Sequence, residues 1–581
     1  MKRCPECRRD YYDETLLYCL EDGVQLVQGS VPVSQTVADE PATAIFHTTD
    51  VGGEAPTRAQ IHTTEQTAVL PSGIAALPKS GFDKRLLALP FLLAIIGLGG
   101  FFAYKYFSPT KQIESIAVMP FVNEGGNADV EYLSDGMTES LINSLSQLPK
   151  LSVKARSSVF RYKGKDLDSK QIAGELGVHA ILNGRVLQRG EMLTLSLDLV
   201  DAVTGNQIWG EQYNRNVGDL LSLQKEIARD VSNKLRSKLS GEDEQQLAKS
   251  PTVDPEAYQL YLQGRYQWNK RTPESIRKAR PLFEKAIERD PRYALAYVGV
   301  ADSHVVVDDG APHDENPKAK AAALKALELD PTLGEAHAVL ANSAFFYELN
   351  WPNAEREYKR AIELSPNYPT AYHWYGESLS AVGRFEESFA MYERALKLDP
   401  LSLAIQTDLG RAYYVARQSD RAIQYLKKVE ELDPSYVRTH FYLAGVYEEE
   451  GMFEQAIESR RKGILLDGGN IERFAENRRG VLNAVAAAGE KEYWRTLLAL
   501  TQEAAKLNGK PLNPAEMAEL YSRLDEKDKA FEWLETCFRE RRVNLVFLNV
   551  EPAYDNIRSD PRFAEFVRRV GTTGDARVGG Q

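Results

Sequence analysis

The chain is punctuated at near-constant intervals by Asp-Pro or Ser-Pro pairs. These prolines are Pro291, Pro331, Pro366, Pro400 and Pro434, separated by 40, 35, 34 and 34 residues. A period in this range restricts the fold to stacked supersecondary units, each burying the apolar face of its neighbour. The units share further positions. Five residues before each proline stands a small or β-branched residue: Ala286, Ala326, Ala361, Ala395 and Val429. Twelve residues before come Ala279, Ser388 and Ala422, and early in the following unit Ala301, Ala341, Gly376, Gly410 and Ala444. Small side chains at these places let two helices cross closely, while Tyr372, Tyr375 and Leu379, or Leu409 and Tyr413, fill the remaining space at helical spacing. The proline stops each second helix because it cannot continue the hydrogen-bond ladder.

These residues and this spacing resemble the tetratricopeptide repeat, an antiparallel helix pair. The resemblance implies an all-α solenoid over 254–570 whose first helices line a concave groove. It places Asn342, His373, Glu377, Arg411, Tyr414, Arg438, Phe441 and Glu448 on that groove, a mix of charged and aromatic groups suited to an extended peptide or a partner helix. The Lys and Asn clamp that some members use for a C-terminal carboxylate is replaced by pairs such as His373/Glu377 and Thr407/Arg411. Beyond Pro434 the pattern drifts. His440, Leu443, Ala444 and Tyr447 open a further unit, and Met517 to Leu534 reads as a last helix pair. The tail from Phe547 to Phe563 is expected to cap the open end of the array.

A chain of 581 residues is too long for one core. Its net charge of -12, with no basic stripe, argues against a nucleic-acid grip. Of four cysteines, three fall in the first nineteen residues, which excludes a disulfide framework and points to one local metal site. Residues 1–27 read Cys4-Pro5-Glu6-Cys7, then Cys19 and, three residues on, Asp22. They resemble the small zinc ribbons that open many bacterial membrane proteins. The candidate zinc ligands are Cys4, Cys7, Cys19 and Asp22, the carboxylate standing where a second knuckle normally supplies a thiolate. The zinc would be structural.

Residues 28–80 are rich in Thr, Ala, Pro, Gly and Val without periodicity and read as a disordered linker. Leu86 to Tyr104 is nineteen residues without a charge, about 30 Å as a helix and enough to span a bilayer once. Lys79, Lys84 and Arg85 before it favour a cytosolic N-terminus, in keeping with thiols that bind zinc in a reducing compartment. Gly99 and Ala103 form a small-x-x-x-small pair, a face for homodimerisation.

Residues 113–240 read as an α+β domain. Ser115 to Phe121 is an apolar strand. A helix capped at Ser134-Asp135 follows, with Met137, Leu141, Ile142 and Leu145 on one face. Leu151 to Ala155 is a second strand. A short helix capped by Asp168 or Ser169 stops at Gly177. Alternating residues from Val178 to Trp209, with turns at Arg189-Gly190 and Thr204-Gly205-Asn206, form a three-stranded meander. A helix from Val217 to Leu239 closes the domain. The words SIAVMPF, YLSDGMTESLINSLSQLPKLSV, DSKQIAGELGVHAILNGRV and DLVDAVTGNQIWGEQYNR resemble the amino-terminal domain of TolB. That resemblance implies a non-catalytic, extracytoplasmic domain, and so places everything after the membrane helix outside the cytosol.

No metalloprotease helix, nucleophile elbow or phosphate loop is present, and the eight histidines are scattered. The expected architecture is therefore multidomain: a zinc ribbon, one transmembrane helix, a TolB-like α+β domain and a repeat solenoid. The expected function is a non-enzymatic, membrane-anchored scaffold of the inner membrane that binds proteins in its groove, in envelope assembly or transmembrane signalling. A second reading is a sensor whose TolB-like domain binds a small ligand and whose ribbon contacts a cytosolic regulator or nucleic acid.

Overall fold

The computed structural model describes residues 2–3, 10–11 and 27–28, and residues 113–571 apart from 128–129, 149, 166–167, 236–251, 306–311, 469–488 and 510. The chain divides into two units, Met1–Thr110 and Lys111–Gln581. In the first, β1 (Lys2–Arg3) lies between β2 (Asp10–Tyr11) and β3 (Val27–Gln28), both antiparallel to it. Cys4, Cys7, Cys19, Asp22, the linker and the apolar run 86–104 lie outside the described residues. Among the described residues no helix is long and apolar enough to cross a membrane and no group of side chains could hold a metal ion.

The second unit opens with a mixed sheet. Its central path runs β6 (Ser152–Val153), β4 (Ser115–Val118), β7 (Ala180–Arg189), β8 (Met192–Asp201), β9 (Gln207–Asn216), and β5 (Val122–Asn123) also pairs with β7. The expected strand 115–121 is thus split. Pro120 can give no ladder N–H, so Met119 donates to the Leu182 carbonyl at 2.8 Å and pairing resumes only at Val122. Phe121 lies on Gly184, where even a Cβ would come within 2.3 Å of the ring. The meander of β7, β8 and β9 is antiparallel as expected, with Gly190 and Gly205 in left-handed turns at φ 61° and 78°. Gly177 ends Ser169–Leu176 in the same region, at φ 63°.

The first long helix corrects its expected start. It spans Glu131–Ser146, beginning before Ser134 and Asp135, which lie inside it and are buried. The apolar Val130 and Leu133 extend its buried face backwards, and Asp135 instead takes Lys163 at 2.5 Å and Arg156 at 3.9 Å. The closing helix is Leu220–Lys234.

The repeats follow as helix pairs in one solenoid: Pro255–Trp268 with Pro273–Arg289, Ala294–Val305 with Pro312–Leu329, and Gly334–Asn342 with Trp351–Leu364. The fourth to sixth are Pro369–Ala381 with Phe385–Leu398, Leu403–Val415 with Ser419–Leu432, and Val437–Glu449 with Phe453–Leu466. Helix Glu490–Asn508 leads to a last pair, Pro514–Arg523 with Lys527–Arg539. The small residues fall at the crossings as the spacing requires. Ala286, Ala326, Ala361, Ala395 and Val429 are fully buried, and a Cβ on Gly410 would meet Leu426 at 2.7 Å. The turn inside a pair takes a left-handed residue. Gly383 and Gly451 supply it cheaply, but Arg271, Leu349, Arg417 and Asp525 adopt it as well.

Candidate functional site: the concave face and the interdomain cleft

The α+β domain is bound to the repeats by the residues that punctuate them. Asp290, Asp330 and Asp433 each accept the N–H two residues on, a local turn that finishes the second helix. In the fourth pair the equivalent Asp399 turns outward, and its carboxylate accepts from Ser157 and from Ser158 at 2.6 Å. Ala155 N–H donates to the Leu398 carbonyl at 2.9 Å and Lys154 Nζ to the Lys397 carbonyl at 2.5 Å. One unit earlier Asn367 caps the end of the helix Glu131–Ser146: its amide donates to the carbonyls of Ser146, Leu148 and Leu151 at 3.0–3.2 Å. On the same helix Gly136 admits Leu262, and Glu139 takes Arg265 at 2.6 Å.

Between the domain and the first pairs lies a cleft of about 1190 Å³. Arg265 bridges Glu139 and Asp302 within it, the latter at 3.2 Å. Burial raises the pKa of Asp302 and of Glu335, in each case beyond what neighbouring Arg265 offsets. Arg271 also faces the cleft. Burial and then the Arg265 charge push its guanidinium down to about 10.

The eight residues expected on the groove do not all reach it. His373, Glu377, Arg411 and Arg438 form a polar ladder across the fourth, fifth and sixth pairs, completed by Asp408, which the repeat pattern alone did not single out. His373 Nε2 and Arg438 Nη2 meet the Asp408 carboxylate at 2.8 and 2.6 Å, and Arg411 stands 3.9 Å from Glu377. Burial opposes the charge of Asp408, but Arg438 and His373 outweigh it and hold the carboxyl below its ordinary range. Burial and the Asp408 charge push Glu377 up. Asn342 sits beside Tyr358 where its helix widens into the π turn Ser343–Tyr347. Phe441 packs instead inside its own pair, its ring 3.1 Å from a Cβ placed on Gly463. Glu448 likewise turns inward to Arg460 at 2.7 Å and to the Tyr493 hydroxyl at 2.6 Å.

The groove is occupied by the chain itself, through a tail expected to cap the open end. Helix Pro561–Val570 does cover the last pair, with Phe563, Phe566, Val567 and Val570 buried against it. Residues 543–557, however, run onto the concave face. Val546, Phe547 and Val550 join one apolar cluster with Phe345, Trp351, Tyr375 and Leu379, while Leu545 and Leu548 face the last pair. Arg411 lies 3.6 Å above the Phe547 ring, and the Glu551 carboxylate lies beside the Tyr414 hydroxyl. Arg417 pairs with Asp555 at 2.7 Å, and Arg541 donates to the Tyr347 carbonyl at 2.8 Å. Facing Glu551, Glu519 is pushed up to about 8 by burial and by the charges of Glu551 and Glu516, which Arg411 and Arg460 only partly offset.

A tetratricopeptide-repeat solenoid fused to an α/β domain with a mixed sheet is thus the class that the fold defines. Residues 369–400 and 407–461 match models of the tetratricopeptide repeat, and residues 111–230 match that of the HilA/YgeH-like transcriptional regulator, second domain. The latter is the segment likened above to TolB. The chain is 35% identical over 233 residues to a Rhizobium meliloti (strain 1021) protein named "Putative adenylate cyclase 3", covering 39% of each. It is 22% identical over 314 residues to the transcriptional regulator HilA of Salmonella paratyphi A, 53% of this chain and 55% of that protein. The chain therefore spans about two-fifths and about half of these relatives. Among solved structures, Pseudomonas aeruginosa PilF is 20% identical, with 45% of this chain and 97% of that one covered at a TM-score of 0.27.

Proposed function

We propose that the chain is a membrane-anchored scaffold whose concave repeat face receives an extended or singly turned peptide from a partner protein. The observation that carries this is the segment 543–557, which lies in the groove as a ligand would. Apolar anchors fill it, Arg411 stacks on an aromatic ring and Tyr414 meets a carboxylate. In this reading Arg411, Tyr414, Glu377, His373 and Asn342 recognise the partner, Arg438 holds the ladder, and Phe441 and Glu448 support the wall. Residues 86–104 form the single membrane helix of the inner membrane, 1–27 a cytosolic zinc ribbon, and the described domains are extracytoplasmic.

The test is a photo-crosslinking residue placed at Tyr414 or at Phe441 in cells. Adducts with another protein should form from position 414, more of them when Phe547→Ala loosens the resident segment, and not from 441. Equal adducts from both positions would remove the groove from consideration. A reporter active only in the cytosol, fused near Gly29 or after Ser240, tests the orientation; activity at the second site alone would reverse it.

A second reading is favoured by the cleft. A cavity between the α+β domain and the repeats suits a sensor that binds a small molecule, with the ribbon passing the signal to a cytosolic regulator or nucleic acid.

A further inference from the structure

We propose that the free edge of β9 is an interface between two copies of this chain, which pair antiparallel through residues 210–216 with Tyr213 opposite its own counterpart. The proposal is independent of the groove and of the cleft.

Strand β9 ends the sheet, and among the described residues no strand pairs with its outer side. The hydrogen bonds fix which of its groups face outward. Val217 N–H donates to the Glu191 carbonyl at 2.8 Å, and the same register runs on through Arg215 with Leu193, Tyr213 with Leu195 and Glu211 with Leu197. Bonded pairs in an antiparallel ladder recur at every second residue, so these residues of β9 bond to β8. Gly210, Gln212 and Asn214 therefore turn their N–H and C=O groups away from β8, and all three are exposed. One acceptor in that outer row already takes a donor from a side chain: Arg215 Nη1 donates to the Asn214 carbonyl at 3.0 Å.

An unpaired edge is a template for another strand unless proline, lysine or a single-sign charge blunts it. β9 is 10 residues long and contains neither proline nor lysine. Its two charges, Glu211 and Arg215, are opposite in sign and stand two residues either side of Tyr213, on one face of the strand. Glu211 is exposed and, among the described residues, has no ion pair. Arg215 binds Glu226 through Nη2 alone, at 3.1 and 2.8 Å, and its side chain stays 38% exposed, so donors remain for a second carboxylate.

This arrangement is its own complement. In two antiparallel copies centred on Tyr213, each Glu211 lies opposite Arg215 of the other copy. Centring the pair on Glu211 would set two carboxylates opposite each other, and centring it on Arg215 two guanidinium groups. Opposite charges across a strand pair stabilise it and like charges oppose it, so the charges select the register. On the other face Gln212 falls opposite Asn214 of the other copy, amide to amide. A second β9 thus supplies every group that this edge calls for, and the two sheets continue into one.

The experiment uses the full-length chain in detergent. Glu211→Cys and Arg215→Cys variants are purified separately, then mixed, equilibrated and oxidised with copper phenanthroline. In the paired strands these positions face each other at a non-hydrogen-bonded site, close enough for a disulfide. The mixture should give a dimer on non-reducing gels severalfold above either variant alone and above the wild type. Gln212→Pro, added to both variants, removes an outward N–H and no bond to β8, a place where an edge strand tolerates proline. It should abolish the excess cross-link and leave the melting temperature close to that of the wild type. A mixture that cross-links no better than its components would overturn the pairing, and this comparison decides the matter even if the proline variant folds poorly. An excess cross-link that survives in a well-folded Gln212→Pro protein would overturn it as well, since the copies would then be held together elsewhere, the membrane segment first among the places to look.

Discussion

The guanidinium of Arg411 lies over the ring of Phe547, 136 positions away in the sequence, 3.6 Å from its centre. The contact joins the fifth helix pair to the C-terminal segment and makes the groove an intramolecular interface. Phe547 is 2% exposed, and truncating a buried phenylalanine costs about 3–5 kcal/mol. Phe547→Ala should therefore lower the melting temperature and make residues 543–557 the first site of proteolysis. Cleavage that remains confined to other loops would show that the segment is held by something else.

Arg411→Ala should cost less, about 0.5–2 kcal/mol, since it removes a cation–aromatic contact and the 3.9 Å pairing with Glu377 but leaves the ring packed. Gly410→Leu, one residue earlier, should cost about 1–3 kcal/mol or more because its Cβ alone would press on Leu426. Thermal unfolding of the two variants side by side gives the ranking, and an inverted order would contradict the register described.

Glu519 predicts an unusual pH dependence. Its carboxyl is raised from 4.5 to about 8, so the folded chain binds the extra proton between these values and stability falls as pH rises through them. Glu519→Gln, which is neutral throughout, should flatten the decline in melting temperature from about pH 5 to 8. An unchanged slope would assign the decline to another group. Asp408 has the opposite sign. Held below its ordinary range, it stabilises the chain above its unfolded pKa, and that contribution is lost as pH falls through the folded value.

Asp399 holds the α+β domain through two serine hydroxyls. Ser157→Ala with Ser158→Ala leaves that buried carboxylate without donors, at about 1–3 kcal/mol. Hydrogen exchange should then quicken in residues 152–162 and not in the distant last pair. Uniform quickening would mean that the repeats themselves had loosened.

For the zinc proposal, metal analysis of the full-length chain should find one zinc per chain, lost in Cys7→Ser. A zinc-free wild-type protein purified without chelator would end it.

The repeats and the meander were legible because their signals are local. Proline spacing, small residues at crossings and alternation each act within one unit, and Ala361, Ala395 and Gly410 stand where the spacing put them. The helix Glu131–Ser146 starts earlier than its capping signal because Ser134 is also tolerated inside a helix when the buried apolar face, here Val130 and Leu133, runs on before it. The docking of Asp399 was hidden for a different reason. Its Asp-Pro pair looks like the others, and Leu401 two residues on marks nothing, since Arg292, equally without a hydroxyl, closes the ordinary turn on Asp290. Phe547 and Glu551 entered the groove through contacts of long sequence separation, which no periodicity records. Phe441 and Glu448 shared the spacing of groove residues, but a helix has two flanks and theirs faces the partner helix.

The resident segment 543–557 also governs what any binding measurement on this protein would report. A tethered peptide competes at an effective concentration in the millimolar range, whatever the amount of protein in the tube. The observed dissociation constant for an outside peptide is then its intrinsic value divided by the fraction of molecules in which the segment has lifted. If that fraction were about one in a hundred, a partner of micromolar intrinsic affinity would register near about 100 μM. Weak apparent binding by the intact chain would in that case measure the strength of its own latch, and selectivity would favour partners able to grip the rim before the segment leaves.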